Sequence, residues 1–292
     1  MNKPKMILFD YGNTLLHEPG FDMRRGEKAL FKYVKSNPRQ LAPEQVSDFS
    51  EKLFKQEISA VRSAGFDLHE RQFLQFLYEY LEIELSVSLE EAEMIFMDAT
   101  AAGALMPKAD EMLDAVNAMG IRSGVISNIG FSGNALTARI NRLLPRNQFE
   151  FILASSEYMF RKPSRMLFEL ALRKAGLNAD EVWFCGDSIE ADVEGSGAVG
   201  MFPVWYESKD VPRGTTGTKA NNRLARICIS AIGQSCWLRC IDRLDLNQPH
   251  KIHTKPRSDH NADSFKKTQE KSQCKRRLCT TVSPMESCCC AA

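Results

Sequence analysis

Four short apolar runs in this chain each break off at, or just before, a residue able to do chemistry, and no other feature restricts the fold as tightly. Met6-Ile7-Leu8-Phe9 runs into Asp10, and Gly124-Val125-Ile126 runs into Ser127. Phe151-Ile152-Leu153-Ala154 precedes the loop with Lys162, and Val182-Trp183-Phe184-Cys185-Gly186 runs into Asp187. A continuous apolar run of this length reads as a strand buried on both faces, the habit of parallel sheets. Helical spacing fills the intervals: Met112, Leu113, Val116 and Met119 ahead of Gly120, a segment near 134–144, and Met166, Leu167, Leu170 and Leu172 after Pro163. Phe202-Pro203-Val204-Trp205 predicts a last short strand. Strands alternating with helices predict an α/β fold built on a parallel sheet. Open sheets of that kind bind ligands at the carboxyl ends of their strands, where all four polar endings fall. Singly, each has a bland explanation: an Asx-type turn at Asp10, a turn residue at Ser127, a solvated loop at Lys162-Pro163. In succession they point to one site.

The first two runs are more than a hundred residues apart, and the stretch between them has helical pattern. Ala29, Leu30, Tyr33 and Val34 form one stripe, Phe49, Leu53, Ile58 and Val61 a second, and Phe73, Phe76, Leu77, Tyr80 and Leu81 a third. Ser88-Leu89-Glu90-Glu91 has the form of a capping box and opens a fourth helix through Met94 and Met97. These stripes are packing faces, and residues 17–105 are expected to form an all-helical module. Gly12 and Asn13, straight after the first acid, suit a tight turn.

Composition divides the chain. Its 43% apolar and 26% charged residues are those of a soluble globular protein. No apolar run approaches the roughly 18 residues of a membrane span, and Met6–Phe9 is shorter than the apolar region of about 7 to 15 residues in a signal peptide. A cytoplasmic protein with no membrane partner is expected. The net charge of +1 hides a split: residues 1–212 carry 23 Lys and Arg against 31 Asp and Glu, and residues 213–292 carry 15 against 6. Only Cys185 of the nine cysteines precedes residue 213. Cys236-x3-Cys240 with His250 and His253 is irregular for zinc, and Cys289-Cys-Ala-Ala292 fits a prenylation box only formally. Residues 213–292 therefore read as a basic, Cys-rich tail, a disordered or non-native extension, and no nucleic-acid partner is expected. Gly195-Ser-Gly197-Ala-Val-Gly200 matches a dinucleotide fingerprint as a string but ends a helix instead of opening one, so its glycines serve packing and a turn.

The ordered set Phe9-Asp10-Tyr-Gly-Asn-Thr14-Leu15, Val125-Ile-Ser127-Asn128, Lys162-Pro163 and Gly186-Asp187-Ser-Ile-Glu-Ala-Asp192 resembles the four motifs of the haloacid dehalogenase-like hydrolase superfamily. The resemblance spans roughly residues 6–206 and implies a Rossmann-like parallel sheet core, residues 1–16 and 106–212, with an inserted all-helical cap at 17–105. It implies Asp10 as nucleophile and Lys162 as its charge-balancing partner. Thr14, Ser127, Asn128 and Lys162 would bind phosphate, and Asp10, the Gly12 carbonyl, Asp187 and Asp192 would hold Mg²⁺. The chemistry agrees: phosphoryl transfer needs an in-line nucleophile and fixed positive charge, and carboxylates are the hard oxygen ligands Mg²⁺ prefers. Asp192 is also able to act only as a helix cap or as a partner of Lys162.

One departure stands out. Phosphatases of the superfamily carry a second Asp two residues after the nucleophile, and this chain has Gly12 there. General acid–base help is worth ~10²–10⁴-fold, roughly 3–5.5 kcal/mol of barrier. His17 and Glu18 are able to replace it, or are simply a solvated turn. The expected function is a Mg²⁺-dependent phosphohydrolase acting on a small phosphorylated metabolite through an aspartyl-phosphate on Asp10, as a monomer or homodimer. Two alternatives stay open: a metal-independent dehalogenase using the same Asp10, and a catalytically impaired binding protein, which Gly12 keeps in play.

Overall fold

In a computed structural model the chain is described over residues 3–207 and 229–230, all within one unit, Met1–Leu246. The expectations for the tail, with its Cys236–Cys240 and Cys289–Ala292 motifs, lie outside the described residues. Strand β1 (Met6–Phe9) has all four side chains at 0% exposure. Ile7 and Phe9 pack on one face with Val125, Leu136 and Ile140, while Met6 and Leu8 pack on the other with Leu167, Phe168 and Ala171. That alternation is the period of two of an extended chain buried on both sides. Each such side chain contributes about 1.5–3 kcal/mol over an exposed position. After β1 the chain turns sharply: Asn13 takes φ 53°, and its N–H donates to the Leu16 carbonyl at 2.7 Å. The short strand β2 (Leu16–His17) follows.

Helix α1 (Met23–Leu30) then leads to strand β3 (Val34–Ser36), helices α2 (Pro43–Leu53), α3 (Ser59–Ser63) and α4 (Glu70–Tyr80), strand β4 (Glu84–Leu85) and helix α5 (Leu89–Thr100). The first stripe runs out earlier than its spacing predicts. Tyr33 ends a short 3₁₀ turn, and Val34, β-branched, starts β3, which pairs antiparallel with β4. The insertion is thus helical apart from that ribbon. The second stripe is continuous, because α2 and α3 are joined by a π-helical turn, Phe54–Ile58. The capping box forms: the Ser88 N–H donates to Glu91 Oε2 at 2.9 Å and the Glu91 N–H donates to Ser88 Oγ at 3.2 Å. α1 and α5 pack closely because Gly26 leaves room; a Cβ there would lie 2.6 Å from the Phe96 ring. Strand β5 (Ala104–Leu105) pairs antiparallel with β2, so the chain leaves and returns side by side.

The rest alternates: α6 (Ala109–Ala118), β6 (Arg122–Ser127), α7 (Gly133–Leu143), β7 (Phe149–Ala154), α8 (Ser155–Tyr158), α9 (Arg165–Ala175), β8 (Val182–Gly186), α10 (Gly195–Ala198), β9 (Phe202–Glu207) and β10 (Ile229–Ser230). The sheet runs β10-β9-β8-β1-β6-β7, all parallel. From β1 the chain moves outward through β6 and β7, then crosses to β8 and β9 on the other side. That reversal places a crevice at the carboxyl end of β1. Phe9 stands level with both Val125 and Cys185, so Asp10, Ser127 and Asp187 emerge together. Of the glycine string, Gly195 fits closely under Phe168 and Pro163, and Gly200 turns with φ +92°.

Candidate active site

A cavity of about 570 Å³ opens at that edge, lined by core residues and by Met23, Phe54, Arg62, Glu70 and Phe96 of the insertion. At its floor Lys162 Nζ lies 2.6 Å from Asp10 Oδ1 and 2.6 Å from Asp192 Oδ1. Two features bring this lysine here. Asn128 grips its main chain from both sides: the Lys162 N–H donates to Asn128 Oδ1 at 2.7 Å, and Asn128 Nδ2 donates to the Lys162 carbonyl at 2.9 Å. The ammonium also lies 5.0 Å from the centre of the Phe184 ring. Asp192 sits in a second π-helical turn, Ile189–Glu194, where its Oδ2 accepts from the Ser188 N–H at 3.0 Å. Gly186 permits this, because a Cβ there would lie 2.3 Å from Asp192 Oδ2 and 2.4 Å from its Cγ.

Asp10, Asp187 and Asp192 each offer a carboxylate oxygen within 4.8 Å of the others. Three carboxylates against one ammonium leave an excess of negative charge in a largely buried place. Burial pushes the Asp10 carboxyl up to about 7; Lys162 opposes the rise, and Asp192 and Asp187 add to it. Burial also works against the charge on Lys162, but Asp10 and Asp192 outweigh it and hold the ammonium above the usual lysine range. A hard divalent cation fits such a donor set: it takes carboxylate oxygens and removes the repulsion among them.

Of the residues singled out from sequence, Asp10, Gly12, Ser127, Asn128, Lys162, Asp187 and Asp192 all line the cavity. Ser127 is 2% exposed and its hydroxyl bonds no described residue, so it is available to a ligand. Asn128 spends its amide on Lys162. Thr14 does not line the cavity; it is buried in the turn, and its hydroxyl has no partner among the described residues. No atom lies within 4 Å of a Cβ built on Gly12, so the position is open. Glu18 is not in a solvated turn. It accepts from Tyr11 Oη, and Arg139 Nη1 lies 2.9 Å from both of its carboxylate oxygens. Arg139, 2% exposed, further donates to the carbonyls of Met97 and Ala101. His17 pairs through its backbone with Ala104.

Sequence reasoning did not single out Arg62, Glu70 or Arg161, which also line the cavity. Arg161 carries a faint signal as the neighbour of Lys162. Arg62 sits in a helical stripe with nothing local to distinguish it.

Among the described residues no helix is long and apolar enough to cross a membrane. Residues 4–200 match the family of haloacid dehalogenase-like hydrolases. The chain is 24% identical over 241 residues to a ribulose-1,5-bisphosphate 5-phosphatase of Halopiger xanaduensis, covering 78% of this chain and 96% of that one. It is 31% identical over 117 residues to the pyrimidine 5'-nucleotidase YjjG of Escherichia coli, covering 39% of this chain and 50% of the relative. The crystal structure of a HAD phosphatase from Thermococcus onnurineus shares the fold, with TM-score 0.50 and 20% identity over 74% of this chain and 91% of that one. With the four strand-end motifs assembled at one sheet edge, the family match over residues 4–200 establishes that the chain belongs to the haloacid dehalogenase-like hydrolases.

Proposed function

We propose that the protein is a Mg²⁺-dependent phosphohydrolase of a small phosphorylated metabolite, with Asp10 as nucleophile and the helical insertion as a cap over the site. The observation that carries this is the placing of Asp10: joined to Lys162 at 2.6 Å, beside Asp187 and Asp192, at the floor of a cavity lined by both the core and the insertion. Three clustered carboxylates repel one another, and a bound cation relieves that repulsion, which favours the metal-dependent reading over a metal-free dehalogenase. The phosphatase activity named for relatives supports the same reading.

Lys162 occupies Asp10 Oδ1, and Oδ2 accepts no hydrogen bond from a described residue. That oxygen attacks phosphorus, the bond from phosphorus to the ester oxygen breaks, and the departing alkoxide takes a proton from water. Ser127 Oγ donates to a phosphoryl oxygen, and the Lys162 ammonium offsets the charge gathered around Asp10. Water then attacks phosphorus in the acyl-phosphate, inorganic phosphate leaves, and Asp10 is regenerated. Asp192 and Asn128 hold Lys162 in place. Mg²⁺, held by Asp10, Asp187, Asp192 and the Gly12 carbonyl, would neutralise the phosphoryl oxygens. Gly12 provides no proton donor, which favours substrates whose leaving group is already acidic.

The test is phosphate release from p-nitrophenyl phosphate with and without Mg²⁺, in wild type and Asp10→Asn. Metal-dependent turnover that falls by about 10³-fold or more in the variant is expected. Metal-independent halide release from 2-chloropropionate, with no phosphate release, would replace this reading with the dehalogenase one.

A further inference from the structure

The cavity holds a second group of charges besides the acidic cluster. Arg62, in α3, and Arg161, beside Lys162, both line it and share one buried carboxylate. Arg62 Nε donates to Asp67 Oδ1 at 3.2 Å, and Arg161 Nη1 donates to Asp67 Oδ2 at 2.5 Å. Ser155 Oγ donates to the same Oδ2. The Arg62 guanidinium lies over the Phe54 ring, 4.8 Å from its centre. Gly130 makes room for it, since a Cβ there would lie 2.8 Å from Arg62 Nη2. Both Nη groups of Arg62, with Nε and Nη2 of Arg161, donate to no described residue.

Two guanidiniums against one carboxylate leave a positive balance. Burial holds Arg161 below the usual guanidinium range; Asp67 opposes that shift and the neighbouring charge of Arg62 adds to it. Burial pushes the carboxyl of Glu70, which lines the same cavity, up to about 7 while Arg62 opposes the rise, so near neutral pH it offsets that balance only in part. Nor are the guanidiniums needed merely to seat the insertion. The Asp67 N–H donates to the Met159 carbonyl at 2.6 Å, the Arg161 N–H donates to the Gly65 carbonyl at 3.0 Å, and the Phe66 and Phe160 rings lie 5.8 Å apart. A guanidinium's fork of donors matches carboxylate and phosphate oxygens, and it does so best where water is scarce.

We propose that Arg62 and Arg161 bind a second anionic group of the substrate, a carboxylate or a phosphate, apart from the phosphoryl group being transferred. The enzyme then selects doubly anionic phosphate esters over esters with a neutral tail. This rests on the phosphohydrolase reading and narrows its substrate class.

Three matched esters test it: propyl phosphate, its ω-carboxylate and its ω-phosphate, assayed for kcat/KM at fixed Mg²⁺. Wild type is expected to favour at least one charged tail by about tenfold or more, and which one it favours identifies the anion. The preference ratio should fall towards one in Arg62→Gln and Arg161→Gln and return in part in Arg62→Lys. Equal kcat/KM for all three esters in wild type would overturn the proposal, as would a ratio unmoved in both Gln variants. Calorimetry with the same esters on Asp10→Asn separates the two readings. Tighter binding of a charged tail, with phosphate released by wild type neither from these esters nor from p-nitrophenyl phosphate, keeps the clamp and removes the phosphohydrolase. Phosphate release without tail preference does the reverse.

Discussion

Lys162 decides what its neighbours are free to do. Its ammonium bridges Asp10 and Asp192 at 2.6 Å each, and Asn128 spends its side chain on the lysine's main chain. Glu18 also lines the cavity, and with Arg139 bonded to it and Tyr11 donating to it, its carboxylate ties the strand-end turn to the body of the protein. Position 12 is where a donor is missing. A Cβ there meets nothing within 4 Å, and its φ lies outside the left-handed region, so a side chain can start from this position without backbone strain. Gly12→Asp is expected to raise kcat for alkyl phosphates by about tenfold or more and to leave p-nitrophenyl phosphate, whose phenolate needs no acid, within about threefold. Steady-state rates on the two substrates check this, and a fall on both would mean that the open space serves another purpose.

Two widened helical turns do work at the level of elements. Phe54–Ile58 swings Phe54 into the cavity, and Ile189–Glu194 delivers Asp192 to Lys162. Turns of this kind recur at functional sites because they redirect side chains that a regular helix would aim elsewhere. The second turn depends on Gly186: a Cβ there would press on the Cβ and Cγ of Asp192, which cannot swing aside as a long side chain can. Gly186→Ala should cost roughly 1–3 kcal/mol of stability and lower activity at least tenfold. Thermal melting and p-nitrophenyl phosphate turnover measure both, and wild-type values in each would show that the turn adapts. The first turn left only a faint trace in the sequence, the five-residue step from Leu53 to Ile58 in an otherwise helical stripe, and the second has no apolar stripe around it to show one. The ribbon of β3 and β4 was missed because Tyr33 and Val34 sit at helical spacing from Ala29 and Leu30, and only the β-branch at Val34 hints at a strand. The capping box at Ser88 was legible because its whole signal is local.

Across the whole molecule, parallel register assembles the site. Phe9 level with Val125 and Cys185 carries Asp10, Ser127 and Asp187 to one edge, and this could be read in advance because each apolar run ends at its functional residue. The cluster of Arg62, Asp67 and Arg161 could not, because it joins residues of the insertion to one beside Lys162 with no periodicity or motif between them. On the proposed reading the core supplies the nucleophile and its charge balance, and the insertion, which lines the same cavity, meets the rest of the substrate. Asp10 as the group that takes up the phosphoryl is the centre of this reading. Acid quenching during turnover of p-nitrophenyl phosphate with Mg²⁺, followed by peptide mass spectrometry, tests it most directly. The peptide containing Asp10 should carry the added mass of one phosphoryl group, lost on treatment with hydroxylamine and absent from Asp10→Asn. Sustained turnover in Asp10→Asn, or a phosphoryl group found on another residue, would contradict it.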